Sequence, residues 1–132
     1  MHLGKFSQLI IIEQEIYFIE EMQLRSLQNR TDIFSAYEQN YCLNKPSPLL
    51  SVAGLWCAKQ AFIKATNRLN LNFPDFNYLD LEVRHRDSGQ PKMLLQNKLR
   101  QQLGENINVE IAIAHEKTLA VASVVFWRND RI

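Results

Sequence analysis

The pattern of apolar and polar positions divides the chain into short segments of changing period. "SQLIIIEQEIYF" (7–18) carries a run of isoleucines that suits a buried strand, although period alone also admits a helix. "IEEMQLRSLQNR" (19–30) reads as a polar helix with acids early and Arg25 and Arg30 late, the order a helix dipole favours. "TDIFSAYEQNYC" (31–42) predicts a second short helix with Thr31 or Asp32 as its cap. Pro46 and Pro48 break the chain, and Ser47 or Ser51 is placed to cap a long helix over about 49–69. There Val52, Leu55, Trp56, Lys59, Phe62 and Ile63 recur at three- and four-residue spacing, which makes one apolar face with a lysine at its rim.

The second half changes period. "FNYLDLEVRHR" (76–86) alternates Tyr78, Asp80, Glu82 and Arg84 with Leu79, Leu81 and Val83, as a half-buried strand does. "DSGQP" is a turn leading into "KMLL", a hairpin, and "QNKLRQQLG" reads as a short helix stopped at Gly104. "NVEIAIAHE" and "LAVASVVFW" predict two final strands joined by a tight turn at Lys117 and Thr118. Helices early and an antiparallel sheet late predict an α+β domain.

Composition narrows the function classes. The chain has 132 residues, 46% apolar and 22% charged, the size and balance of a single globular domain over 1–132. A net charge of +1 argues against a general nucleic-acid binder. No stretch is apolar for long enough to span a membrane. Cys42 and Cys57 have neither metal-ligand spacing nor a disulfide pattern, and with no leader pattern at the N-terminus they predict a cytoplasmic protein.

Two places carry candidate chemistry. Lys59, Gln60 and Lys64 interrupt the long helix, and His115 closes a strand beside a turn, where an imidazole suits proton transfer near neutral pH. The plainer expectation is that the lysines are solvated and His115 bonds its own hairpin. His2, terminal, and His85, among exposed charges before a turn, receive no functional reading. Scattered histidines and unpaired cysteines give no zinc pattern, and no phosphate loop or nucleophile signature is visible.

Four segments in series carry a resemblance: "IFSAYEQNYC", "SVAGLWCAKQAFIKA", "YLDLEVRHRDSGQPKM" and "EIAIAHEKTLAVASVV". In order and spacing they resemble the holo-acyl-carrier-protein synthase branch of the 4'-phosphopantetheinyl transferases, from about Leu9 to Phe126. The resemblance implies the phosphopantetheinyl transferase fold, with helices packed on an antiparallel sheet. It implies transfer of the phosphopantetheine arm of coenzyme A to a carrier-protein serine, in trimers with sites between subunits. It also implies a magnesium ion held by two carboxylates, a hard cation on oxygen ligands. Lys59, Lys64, Gly89, Pro91 and His115 match positions that would bind coenzyme A, with Lys64 and His115 catalytic if the protein is active.

The departures include both metal positions. Ile10 stands where the resemblance puts an Asp and Gln60 where it puts a Glu; Leu55 replaces an Arg, and Ala112 and Ala114 replace serines. Ile cannot ligate a cation and Gln offers one neutral carbonyl. The expectation is therefore no metal at these degenerate positions and little or no activity. The chain is then a binding or assembly partner of an acyl carrier protein in fatty acid or polyketide biosynthesis, as a homotrimer or mixed oligomer. An active transferase with substitute carboxylates (Glu13, Glu82 or Glu116) stands as one alternative, with coenzyme A as substrate and magnesium as cofactor; a scaffold subunit paired with an active relative in a mixed oligomer is the other.

Overall fold

The computed structural model describes the backbone over residues 6–18, 21–71, 73, 76–116 and 119–131, and side chains over 12–16, 25–71, 73, 76–116 and 119–127. Strand β1 (Phe6–Phe18) leads into helices α1 (Glu21–Gln28), α2 (Ala36–Leu43) and α3 (Pro48–Arg68). The hairpin β2 (Leu81–His85) and β3 (Pro91–Leu95), helix α4 (Asn97–Leu103) and strands β4 (Ile107–Glu116) and β5 (Leu119–Arg131) complete the chain. This is the α+β architecture expected from the sequence.

One antiparallel sheet has the order β1-β5-β4 and the other is the β2-β3 hairpin. In the larger sheet Ile12 pairs with Val125 and Ile16 with Val121, while Ile113 pairs with Ala122 and His115 with Ala120. Strand alternation turns Ala120, Ala122, Val124 and Phe126 of β5 inward, and all four are buried under α3. Four fully enclosed alanines, Ala53, Ala58, Ala61 and Ala65, let α3 lie close to that sheet. Phe62 meets Phe126 edge-on, with ring centroids 5.8 Å apart. Gly54 permits the tightest approach: a Cβ there would lie 2.7 Å from Ile113 Cγ2.

Several local expectations are corrected. The cap of α2 is Ser35, whose hydroxyl accepts from the Glu38 N–H at 3.2 Å while the Glu38 carboxylate accepts from the Ser35 N–H at 2.9 Å. That reciprocal box outcompetes Thr31 and Asp32; Asp32 accepts from Arg30 instead. Helix α3 starts at Pro48, whose fixed φ suits the first helical position, but Ser47 makes no side-chain cap hydrogen bond. The strand expected over 76–86 begins only at Leu81, because Tyr78–Asp80 form a 3-10 turn capped by Asn77. Leu81, Glu82 and Val83 are all buried, so alternation fails there: β2 packs against both α2 and α3. Gly89 (φ 91°) forms the hairpin turn before Pro91, and Gly104 (φ 80°) ends α4, both as expected. The tight turn expected at Lys117 and Thr118 lies outside the described residues.

Candidate functional site

The three polar residues of α3 go to three different environments. Lys59 is not at a rim: its side chain is fully buried, and its ammonium donates to the Ile33 carbonyl at 2.6 Å, the Glu38 carboxylate at 2.9 Å and the Tyr78 carbonyl at 3.3 Å. Burial pulls the Lys59 ammonium below its ordinary pKa, against the opposing pull of Glu38. Glu38 also accepts from the Val83 N–H at 2.9 Å, so one ion pair ties α2, α3, β2 and the 3-10 turn together. With three acceptors already taken, the Lys59 ammonium has no donor to spare for a ligand. Beside it, burial pushes the Cys42 thiol up to about 12, with Glu38 adding to the rise.

Gln60, Lys64 and Arg68 follow at four-residue steps, which puts them in one row along the helix. The Lys64 ammonium lies 3.1 Å from Glu15 and donates to the Gln14 carbonyl, and Arg68 lies 2.7 Å from Glu13. One turn of α3 thus corresponds to two residues of β1 running the opposite way. By that register Gln60, one turn before Lys64, stands level with residue 17. Ile10 is seven residues further along the strand, roughly 23 Å away at about 3.3 Å per residue. The backbone therefore separates the two positions that the resemblance joins in one metal site; the side chain of Ile10 lies outside the described residues. The Gln60 amide nitrogen donates to the Tyr78 hydroxyl at 2.9 Å.

Of the other carboxylates, Glu82 is buried and accepts from Arg84. Burial pushes its carboxyl up, but hydrogen bonds from Ser35 and Arg84 and the charges of Arg84 and Lys59 outweigh that and hold it below its ordinary value. Glu116 is exposed at the end of β4. Among the described residues no three His, Cys, Asp or Glu side chains converge as a metal site would need.

His115 sits at the opposite end of α3. On β4 it follows Ile113 by two residues, so both face the helix, and a Cβ on Gly54 would lie 3.8 Å from the His115 ring. Ten residues separate Gly54 from Lys64, about 15 Å along the helix, so one chain does not bring Lys64 and His115 together. His115 instead lines a cleft with Tyr41, Ser51, His85, Gly89 and Pro91, which continues past Lys45 and Ser47. Gly89, Pro91 and His115 of the expected coenzyme A set therefore share one surface, whereas Lys59 and Lys64 lie elsewhere.

His85, given no role in the sequence reading, also lines this cleft. Its ring is half-buried and stacks flat on Tyr41, centroids 3.7 Å apart and planes 8° from parallel. Burial and the nearby Lys45 charge pull the imidazole below its ordinary pKa. Tyr41 and His85 are 44 positions apart, and no local pattern pairs residues across such a separation; the only signal available was a histidine two residues before a turn.

Comparison with known proteins bears on the family and the fold. Residues 12–122 match the family model of the 4'-phosphopantetheinyl transferase superfamily. A holo-[acyl-carrier-protein] synthase of Protochlamydia amoebophila is 34% identical over 127 residues, covering 96% of this chain and 98% of that protein. The synthase of Geobacter metallireducens is 32% identical over 131 residues, covering 97% and 99%. The Chronobacterium ammoniagenes ACPS–CoA complex shares the fold with a TM-score of 0.78 at 21% identity, over 93% of this chain and 99% of that one. With a matching family model over most of its length and full-length relatives above 30% identity, the chain belongs to the 4'-phosphopantetheinyl transferase superfamily, as a protein of the holo-acyl-carrier-protein synthase type.

Proposed function

We propose that this protein keeps the family's coenzyme A surface at His115 without a working magnesium site, and acts as a binding or assembly partner for an acyl carrier protein with little or no transfer activity of its own. The observation that carries this reading is the row Gln60, Lys64, Arg68. The two carboxylates facing it, Glu15 and Glu13, are already matched by Lys64 and Arg68, and Gln60 is committed to Tyr78. Magnesium, which the family implies, does not fit this donor set. It wants anionic oxygens in near-octahedral array, and the row offers one neutral amide beside carboxylates already paired with Lys64 and Arg68. Phosphoryl transfer is mostly positioning and charge neutralisation, so removing one such electrostatic contact costs about 2.7–4 kcal/mol of barrier.

The test is intact-mass analysis of apo carrier proteins incubated with this protein, coenzyme A and magnesium, with a working synthase run in parallel. The expected result is no phosphopantetheine adduct here and full conversion in the parallel run. Conversion by this protein overturns the reading.

One observation favours a second reading, an active transferase with substitute ligands. Glu15 lies on the α3 side of β1 and only two residues from the level of Gln60, so a rotation of Lys64 would free one carboxylate near the row. In that case magnesium-dependent modification is abolished by Glu15→Gln.

Oligomer formation is supported by the outer face of the larger sheet. Ile12 and Ile16 are 59% and 55% exposed there, level with Val125 and Val121. These exposed Ile side chains flank the Gln14–Ser123 hydrogen bond and form, with Val121 and Val125, an apolar strip that a neighbouring subunit would cover. Because one chain holds His115 and Lys64 apart, a neighbouring copy or a related subunit would complete any site that needs both.

A further inference from the structure

The cleft at the N-terminal end of α3 is lined by Lys45 and two imidazoles, His85 and His115, and among the described residues no carboxylate lines it. Its electrostatic character suits an anion. His85 is the component that the resemblance does not assign, and its surroundings restrict what it can do. Tyr41 holds the ring flat from one side, and the Lys45 ammonium lies 4.5 Å from the centre of the Tyr41 ring. The backbone N–H of His85 donates to the Tyr37 hydroxyl at 3.3 Å, which anchors the strand end that carries the ring. Nδ1 is enclosed and has no hydrogen-bond partner among the described residues.

An imidazolium must donate from both nitrogens, and here one of them has nothing to donate to. The ring is therefore held neutral. Of the two neutral tautomers, the one with a proton on Nδ1 would bury an orphan N–H. The other leaves only an empty acceptor there, the commoner and cheaper vacancy. The proton then sits on Nε2, the nitrogen left to meet solvent or ligand. A neutral N–H donor beside a lysine adds a hydrogen bond without adding a repulsive charge to its neighbour.

We propose that His85 is a binding residue of this cleft: a neutral imidazole clamped on Tyr41, whose Nε2–H donates to an anionic oxygen of a phosphate-bearing ligand held beside Lys45 and His115. This rests on the reading that the cleft accepts the nucleotide end of coenzyme A. It adds a residue that the family pattern in the sequence does not name, and a protonation state that fixes its role as donor.

The test uses the whole protein with two probes, 3',5'-adenosine bisphosphate and adenosine, titrated by calorimetry. His85→Phe keeps a flat ring against Tyr41 and removes the N–H. The expected result is about tenfold weaker binding of the bisphosphate, as for a lost hydrogen bond to a charged group, with adenosine binding unchanged. Nitrogen-15 NMR of the wild-type protein should report the Nε2–H tautomer at His85. Bisphosphate binding by His85→Phe within twofold of wild type overturns the assignment. So does an equal loss of adenosine affinity, which would make the ring a base-stacking platform, and so does an Nδ1–H tautomer. If the wild-type protein binds neither probe, the coenzyme A reading of the cleft falls and the role of His85 falls with it; if it binds both and only the variant result fails, the cleft stands and His85 alone is excluded.

Discussion

The two ends of α3 treat charge in opposite ways. Toward the C-terminal end, Lys64 and Arg68 face Glu15 and Glu13 in a ladder where every described charge has a partner. Toward the N-terminal end, Gly54 brings β4 against the helix, and the cleft beyond it collects His115, His85 and Lys45 with no carboxylate among its described lining residues. One region has internal partners for its cations; the other has cationic and donor groups without anions. The difference separates two properties that a transferase needs together: a place for an anionic ligand, and a cation to activate its phosphates. On the proposed reading the first persists in form, while ion pairs within the chain occupy the row where the second would be held.

Between the two ends lies Lys59, and removing it should have the largest effect. Lys59→Ala leaves the Glu38 carboxylate buried without its charge partner, which costs about 3–5 kcal/mol and lowers Tm by about 10 °C or more. Thermal unfolding followed by circular dichroism checks this. A change under about 1 kcal/mol would mean that water reaches Glu38 and that the centre of the helix is not the anchor of both regions.

Gly54→Val strikes the cleft end alone. The added side chain meets Ile113 at close range, so stability falls by about 1–3 kcal/mol and the His115 strand must back away from α3. Bisphosphate affinity should drop with it, while the Lys64–Glu15 contact, about 15 Å along the helix, is untouched. Binding equal to wild type in a folded Gly54→Val protein would detach His115 from ligand recognition.

The ladder end predicts a small response. Lys64 is half exposed, so Lys64→Ala should change stability by about 0–1 kcal/mol and raise no magnesium affinity, because one carboxylate and an amide make a poor octahedral site. Urea unfolding with and without magnesium reads both; a midpoint raised by magnesium in the variant alone would show that Glu15 and the Gln60 row still form a cation site.

The smallest effect is the pH dependence at the cleft. His85 in the folded protein lies below its ordinary value of 6.5, so between these two values the unfolded chain binds the extra proton. Stability from this group is complete above about pH 6.5 and is lost as pH falls through that window toward the folded value. His85→Phe lacks the loss. Comparing urea midpoints of the two proteins at about pH 7 and about pH 5.5 should show a steeper acid decline for wild type, and parallel declines would place His85 in open solvent.

Period and punctuation in the sequence carried most of the architecture. The spacing from Val52 to Ile63 gives α3, Gly104 ends α4, and Gly89 before Pro91 sets the hairpin turn, because helix periodicity and positive φ are local constraints. The four motifs in series carried the family, since their order survives where single residues change. Other features were decided only in three dimensions. Lys59 reads as a rim residue on a helical wheel and becomes the centre of the core because Glu38, 21 positions earlier, folds over it. Glu82 reads as the polar side of an alternating strand and is buried because α2 covers that side.

The site divides the same way. The sequence could name Gln60 as a poor magnesium ligand, because donor chemistry belongs to the side chain itself; it could not tell that Ile10 lies seven residues along β1 from the level of Gln60. It could not set the register that puts Gln60 level with residue 17 and pairs Glu15 with Lys64, since that depends on how β1 lies along α3. Nor could it pair His85 with Tyr41 or draw both into the cleft of His115, because that needs the hairpin folded back beside the start of α3. What each residue can donate or accept was fixed by its identity; which partner takes the donation was fixed by packing between segments far apart in the chain.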